Sequence, residues 1–514
     1  MRLVLGFLAA LLTTAGLAPV TSAAPLESRP VYSYADAIRE TAWVETGTDH
    51  DHDGKLDRVA ADVIRPDAPV RVPAILDVSP YYACCGRGNE QQKKTYAPDG
   101  TPAQFPLFYD NYFVPRGYAV VLADVGGTNR SSGCFEPIEG VADNYAQVIA
   151  NGAPLATPEN TSSAFTYNER AAELCKPFEA DLKTRAGTNG DYNAYWQSVN
   201  HVPRAGQVSA LVAQGFGDWI VAPNQFARYW DALGRAGVPR KAWLSQAGHT
   251  DPFDLQRAQW VETLHRWFDR WLLGLHNGVE REPAVHLETA PDRWTDVRSW
   301  PPATSPVTFR PSADGTLGRR GSGTVSVADD PAVTREEWTA RFTAAPLPAP
   351  VRIAGSPAVT ITASSDKTAA RLGVALVDYG PAEARNTATY GSGVENLATR
   401  SCWGAGTDAD SAYFLDTAAD VVSVDHRIVA AGWADLGHHA SLWHGEPLVP
   451  GRAYSMTFTL TALDHVVPAG HRLGLVLGGT DGLLFDPALP RLGDTVTFDL
   501  ARTSVTVGFT KPEQ

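Results

Sequence analysis

The sequence predicts an α/β domain on a parallel sheet, interrupted by a helical insertion and followed by an all-β sandwich. Three observations carry this prediction. "YAVVLADVGG" is a nearly continuous apolar run, of the kind buried on both faces of a parallel sheet. Strands and amphipathic helices alternate as far as "FDLQRAQWVETLHRWFDRWLLGL". Beyond "SWPPATSP" the helical periodicity stops, and short alternating strands broken by Gly, Pro and Asp take over.

The chain's 514 residues, 44% of them hydrophobic, exceed what one core organises and are enough to fill two or three. A net charge of −14 with no Lys/Arg cluster excludes nucleic acid as a partner and opposes binding to an anionic membrane. At the N-terminus, Arg2 precedes an apolar run from Leu3 to Leu17 and small residues ending at Ala23 or Ala24. This layout predicts a secretory signal peptide over residues 1–24, too short in its apolar run for a membrane span, and hence an exported protein. Five cysteines follow (Cys84, Cys85, Cys134, Cys175 and Cys402), an odd number, which leaves at least one thiol unpaired in an oxidising compartment. Their spacing is not that of a zinc site.

Along the chain, "RVAADVIRP" and "VPAILDVSPYY" read as β-branched strands ahead of the buried run. From Val141 to about Arg204 the pattern is polar and helical, clearest in "NERAAELCKPFEADLKTRAG". "VSALVAQG" and "RKAWLSQAG" are the next strands, with the helix "PNQFARYWDALGRAG" between them. In the helix that follows, Trp260, Val261, Leu264, Trp267, Phe268, Trp271 and Leu272 form one stripe at helical spacing, which reads as core packing. "VRIAGSPAVTITASS", "RLGVALVDYG", "YSMTFTLTAL" and "HRLGLVLGG" are sandwich strands.

Two loops carry the chemistry. "QGFGDWIV" places Asp218, and "SQAGHTDPFD" places His249, just beyond the carboxyl ends of strands, where catalytic groups of open α/β sheets collect. A carboxylate followed by an imidazole, each after a late strand, matches the last two members of a Ser…Asp…His order. The carboxylate fixes the imidazole tautomer while the imidazole takes a proton from the nucleophile. A third stretch, "DHDHDGKLD", sets Asp49, Asp51, Asp53 and Asp57 around a Gly, like the first half of a calcium loop. The closing Glu of such a loop is absent, Ala60 standing in its place, so a solvated turn is the simpler reading. No cofactor is called for.

"DHDHDGKLDRVAADVIRP", "LDVSPYYACCGRGNE", "RGYAVVLADVGGTNRSSGC", "GFGDWIV", "LSQAGHTDPFD" and "GWADLGHHASLWHGEPLVPGRAYSMTFTL" together resemble the X-Pro dipeptidyl-peptidase and cocaine-esterase group of serine hydrolases. The resemblance covers almost the whole chain after the leader and is closer to the X-Pro peptidase branch. It implies an α/β-hydrolase core over residues 25–140 and 205–278, a helical cap over 141–204 and a jelly-roll domain over 279–514. It implies Asp218 and His249 as triad members and Tyr81 as a donor to the oxyanion hole. The implied substrate is a peptide with proline second from its N-terminus, or a small acyl compound as in the esterases. Glu169, Glu173 and Glu179 are candidates to grip its free amine. By the family's topology, Cys134 is expected to bridge to Cys84 or Cys85. The sequence specifies no oligomeric state.

The family carries its serine on a G-x-S-x-G elbow between a strand and a helix that follow the motif seen here as "DVGGTNRSSG". No G-x-S-x-G occurs anywhere in these 514 residues. Ser131 and Ser132 lie at a strand end without an elbow's context, Ser245 precedes the histidine and Ser392 falls in the sandwich. A Cys134 thiolate is no better a substitute, given its oxidation partners. The resemblance therefore implies a sheet lacking two central strands, with "AILDVSP" and "SALVAQG" paired directly in their place. The family's activity is release of N-terminal Xaa-Pro dipeptides, and without the serine this chain is expected to be inactive or crippled in it; the alternative is a non-catalytic binding protein or a deletion product.

Overall fold

The computed structural model describes residues 27–82, 86–135, 174–187, 189–219, 221–329, 339–387, 391–480 and 492–511. The α/β hydrolase-like part begins with β1 (Ile38–Glu45), β2 (Arg58–Arg65) and β3 (Ala74–Ser79). A short clip of β4 (Thr95–Tyr96) and β5 (Pro102–Gln104) follows, then helix α1 (Tyr109–Phe113) and strand β6 (Ala119–Asp124). The first sheet has the order β1-β2-β6-β3, with only β3 and β6 parallel. β6 is the apolar run of the sequence, and its Val120 and Leu122 are fully buried.

Two helices, α2 (Lys176–Ala186) and α3 (Ala194–Ser198), precede β7 (Ala210–Gly215). Asn193 caps α3 by accepting the Tyr195 amide at 2.9 Å. Helix α4 (Pro223–Ala236) starts on a proline and stops at Gly237, whose φ of 68° is the left-handed geometry of a helix end. It buries Leu233 and packs Phe226 and Trp230 with Ala242 and Leu244 of β8 (Arg240–Ser245). Helix α5 (Arg257–Trp271) buries Trp260, Val261, Leu264 and Trp267 of the expected stripe, while Leu272, just past its end, is exposed. With β9 (Val285–Ala290) and β10 (Arg293–Val297), the second sheet has the order β10-β9-β8-β7.

The C-terminal part is β-rich. A nine-stranded and a four-stranded antiparallel arrangement enclose one core, to which Ile353, Val359, Leu372, Leu475, Val496 and Val505 contribute. Two long strands, Arg371–Arg385 and Val421–Asp435, pair along their length. The sandwich is joined to the second sheet by buried polar contacts. Asp464, held within the sandwich by two hydrogen bonds from Arg352 at 2.8 and 2.9 Å, accepts the Trp300 indole N–H at 3.0 Å from just beyond β10, and its carbonyl accepts from Gln246, next to β8, at 3.0 Å.

Two expectations are corrected here. Among the described residues β3 bonds only to β6 and β7 only to β8, so the strands at Ile75 and Leu211 are not neighbours. The half-sheets are instead fixed by contacts indifferent to what lies between them. One apolar core takes in Ile75 of β3, Trp243 of β8 and Trp260, Val261 and Leu264 of α5, with Leu211 packed on its edge. The other face of β3 is open, with Leu76 62% and Val78 55% exposed. The second correction concerns the cysteines. Cys134 is joined to Cys175 beside helix α2, with Cα atoms 5.6 Å apart, and not to Cys84 or Cys85, which lie outside the described residues. Cys175, Phe178, Leu182 and Trp196 bury Cys134 in a small core of their own, which brings the two sulfurs together. Cys402 is an exposed free thiol.

A buried polar cluster ties α1 to the sandwich loop ending at Asp410. The Tyr34 hydroxyl donates toward the carboxylates of both Asp110 and Asp410, and Arg39 lies 3.6 Å from Asp410. Asn111 donates to the Ala405 carbonyl at 3.0 Å. Burial, reinforced by the neighbouring Asp410 carboxylate, holds the Asp110 carboxyl well above the ordinary carboxylate range, and burial also raises Asp410.

A raised carboxyl favours the protonated fold, so its stabilisation is complete below about pH 4, the unfolded value, and is lost as pH rises through the folded one. Urea unfolding across pH 4–8 is expected to show this decline in the natural chain and a shallower one in Asp410→Asn. The disulfide closes a loop of sequence separation 41. A non-reducing peptide map should recover Cys134 linked to Cys175, and Cys175→Ser should cost about 4 kcal/mol by loop-closure entropy. Recovery of Cys134 with Cys84 or Cys85 would refute the pairing.

Candidate active site

The site forms where the loops after β3, β7 and β8 meet. Beyond β7, the turn Phe216–Asp218 folds back on the loop after β8: the Phe216 amide donates to Ser245 O at 2.8 Å and the Gly217 amide to Ala247 O at 2.9 Å. The approach is close enough that a Cβ on Gly217 would lie 3.0 Å from that same carbonyl oxygen, so the loops meet backbone to backbone. Asp218 is thereby held 6% exposed, with one carboxylate oxygen accepting the Val221 amide at 2.8 Å. Its other oxygen lies 2.9 Å from His249 Nδ1.

His249 is oriented by Asp218 on one side and open on the other, its side chain 37% exposed. The hydrogen bond to Asp218 raises the imidazole above its ordinary value, against burial and the charge of Arg87, both of which lower it. Tyr81, in the turn after β3, places its ring edge-on to His249 with centroids 6.4 Å apart. The structure thus brings Asp218, His249 and Tyr81 to one place.

Arg87 was not singled out by the sequence reading, although it lies in the quoted "CCGRGNE". Its guanidinium reaches Asp77 of β3 at 3.2 Å and Asp251 at 3.4 Å, bridging the two half-sheets beside His249. Asp251 also caps the turn after the histidine by accepting the Phe253 amide at 2.9 Å. Next to it, burial followed by the Asp251 charge pushes the Asp254 carboxyl up to about 7, while Asn89 donates its amide to it at 2.8 Å. The sequence does not mark the contacts of Arg87 with Asp251 and of Asn89 with Asp254, because they join segments more than 160 residues apart.

The remaining candidates lie elsewhere. Ser131 donates to the Asp124 carbonyl at 2.9 Å and accepts the Ala60 amide at 3.0 Å; Ser132 accepts the Arg58 amide at 2.8 Å. Ser245 accepts the Ala247 amide, and Ser392 donates to the Val394 carbonyl. Each of these hydroxyls is thus engaged with backbone. Glu169 and Glu173 lie outside the described residues, as does the side chain of Glu179. Carboxylate oxygens of Asp49, Asp51 and Asp57 lie within 4.8 Å of one another. Asp53 turns away to accept the Lys55 amide at 2.9 Å. Asp49 and Asp51 accept the Asp53 amide, and His50 Nδ1 lies 2.7 Å from Asp57, so local hydrogen bonds already occupy part of the cluster.

Residues 277–514 match the family model of the X-Pro dipeptidyl-peptidase C-terminal non-catalytic domain. Residues 53–151 and 151–251 match that of X-Pro dipeptidyl-peptidase (S15 family), in two segments that meet at residue 151. A Streptomyces avermitilis protein named "Putative Xaa-Pro dipeptidyl-peptidase" is 42% identical, covering 97% of this chain and 87% of its own. That alignment spans 592 residues against the 514 here, so the relative carries residues opposite gaps in this chain. A Xaa-Pro dipeptidyl-peptidase of Lacticaseibacillus rhamnosus is 21% identical, covering 93% of this chain and 78% of its own. Among solved structures, a CocE/NonD family hydrolase from Staphylococcus aureus superposes with a TM-score of 0.61 at 12% identity, over 92% of this chain and 94% of that one. An α-amino acid ester hydrolase does so with a TM-score of 0.59 at 16% identity, over 96% of this chain and all of the other. At such identities the likeness is one of fold.

Because the His249 pKa is raised on folding, the pairing with Asp218 contributes stability that is complete below about pH 6.5 and is lost as pH rises through the folded value. An NMR titration should find the imidazole midpoint above 6.5, and Asp218→Asn should bring it down. A midpoint unmoved by that substitution would show that the two side chains are not paired in solution.

Proposed function

The chain belongs to the X-Pro dipeptidyl-peptidase (S15) family, and from that premise we propose that it is an exported member that keeps the Asp–His half of a serine-hydrolase relay without the serine. The observation that carries this is the environment of His249. Its Nδ1 is held by Asp218, which leaves Nε2 as the atom that would take a nucleophile's proton. Among the described residues no serine or cysteine side chain is bonded to that ring, and no G-x-S-x-G occurs in the sequence. The longer relative and the S15 match in two segments support the loss of an internal segment. The apolar face of β3, left open at Leu76 and Val78, supports the same reading. Export rests on the N-terminal leader pattern, and the Cys134–Cys175 disulfide agrees with an oxidising compartment.

In the complete relay, the imidazole would deprotonate a serine attacking the proline carbonyl of an Xaa-Pro unit, with the amine of the next residue as leaving group, and Tyr81 would donate to the carbonyl oxygen as negative charge develops. His249 and Tyr81 stand within one ring contact of each other, as that division of labour requires. Without the nucleophile, what remains is a surface able to bind the peptide but not to form the acyl-enzyme.

The protein is therefore expected to resist labelling by a serine-directed fluorophosphonate and to release no dipeptide from an Xaa-Pro chromogenic substrate. Stoichiometric labelling abolished by His249→Ala would overturn the proposal and assign the chemistry to a serine elsewhere in the chain.

A further inference from the structure

The loop that carries His249 is held from the sandwich side. Gln246, its first residue, has every side-chain polar atom engaged: Oε1 accepts from Arg427 at 2.7 Å, and Nε2 donates to the carbonyls of Glu288 and Asp464, both at 3.0 Å. Its backbone amide donates to the Glu288 carboxylate at 2.7 Å. Two residues on, the Gly248 amide donates to Ser392 O at 3.0 Å, and a Cβ on Gly248 would lie 2.2 Å from Gly391 O. The facing turn is clamped in the same way, since a Cβ on Gly217 would meet the Thr387 methyl at 2.8 Å. Arg427, Asp464, Gly391, Ser392 and Thr387 all belong to the region matched as a non-catalytic domain.

We propose that this domain sets the geometry of the Asp218–His249 pair, with Arg427 as its positioning residue and the Gly391–Ser392 backbone as a stop behind Gly248. The physical argument is one of freedom. His249 follows two small residues, Ala247 and Gly248, that cannot themselves fix a loop, and its imidazole keeps one solvent-exposed face. The 2.9 Å contact to Asp218 therefore persists only if the backbone leading to it is immobile. Gln246 supplies that anchor through its side chain and amide, and Ser392 supplies it through the Gly248 amide.

This inference rests on reading Asp218 and His249 as a relay pair, but its test uses titration and not turnover, so labelling by a fluorophosphonate would overturn the proposed inactivity and leave it standing. The His249 imidazole is titrated by NMR in the full-length chain, in Arg427→Met and in Arg427→Lys. Arg427→Met is expected to bring the midpoint down toward 6.5 as the Asp218 contact loosens, and Arg427→Lys, which keeps a donor for Gln246, to restore most of the rise. A folded Arg427→Met whose His249 titrates as in the natural chain overturns the proposal, whatever happens to its melting temperature. If Arg427→Met does not fold, Gly248→Ala decides. Its Cβ must push the loop off the Gly391 carbonyl, so an unchanged midpoint there has the same force.

Discussion

Glu288 and Arg385 are buried almost completely, and the arrangement of the molecule depends on the contact between them. Arg385 closes the long sandwich strand and donates to one Glu288 oxygen through Nε at 2.8 Å and through a terminal nitrogen at 2.6 Å. Its other terminal nitrogen donates to the Gly393 carbonyl at 2.7 Å, which fixes the turn behind Gly248. The second Glu288 oxygen receives the Gln246 amide, which fixes the start of the His249 loop. One carboxylate thus orders both sides of the seam between β9 and the sandwich. Removing Arg385 strands the buried Glu288 charge, at a cost of about 3–5 kcal/mol, whereas without Glu288 the guanidinium keeps Asp292 at 2.7 Å. A well-packed apolar pair could match its stability but would present no oxygens and no N–H groups to the two turns.

That seam matters because, among the described residues, the α/β part has no continuous sheet to carry position from one side to the other. Asp218 and His249 both stand on the second half-sheet, while Tyr81 and Asp77 belong to the first. Across the divide, order is transmitted by the shared apolar core beneath α5 and by Arg87, which holds a carboxylate from each side. The core is non-directional and resists separation; the guanidinium is directional and sets register. The site therefore depends on side-chain contacts for what a ladder of backbone hydrogen bonds would otherwise supply.

Much of this was legible in the chain, and the division follows the range of the interactions. Strands such as "YAVVLADVGG" and the stripe of α5 announce themselves because apolar spacing is a local property. Asp218 and His249 were legible because each sits a few residues past a strand end, and Tyr81 because it lies in a motif. The disulfide was not, since Cys175 and Cys134 are brought together by a small core that also holds Phe178 and Leu182 of α2 and Trp196 of α3. Nor was the separation of β3 from β7 among the described residues, since strand pairing is set by contacts between segments far apart in the chain. Arg87, Gln246 and Arg427 went unread for the same reason, as their roles lie in contacts across long sequence separations.

The open face of β3 has a colloidal consequence. Leu76 and Val78 border a strand whose outer backbone groups have no ladder partner among the described residues, a surface that favours edge-to-edge contact between copies. Opposing it is a net charge of −14, which sets up mutual repulsion between approaching molecules. The reach of that repulsion shrinks from about 30 Å at 0.01 M salt to about 3 Å at 1 M. Ionic strength therefore sets how closely these edges approach before repulsion acts, because charge and not concealment of the apolar surface opposes their contact.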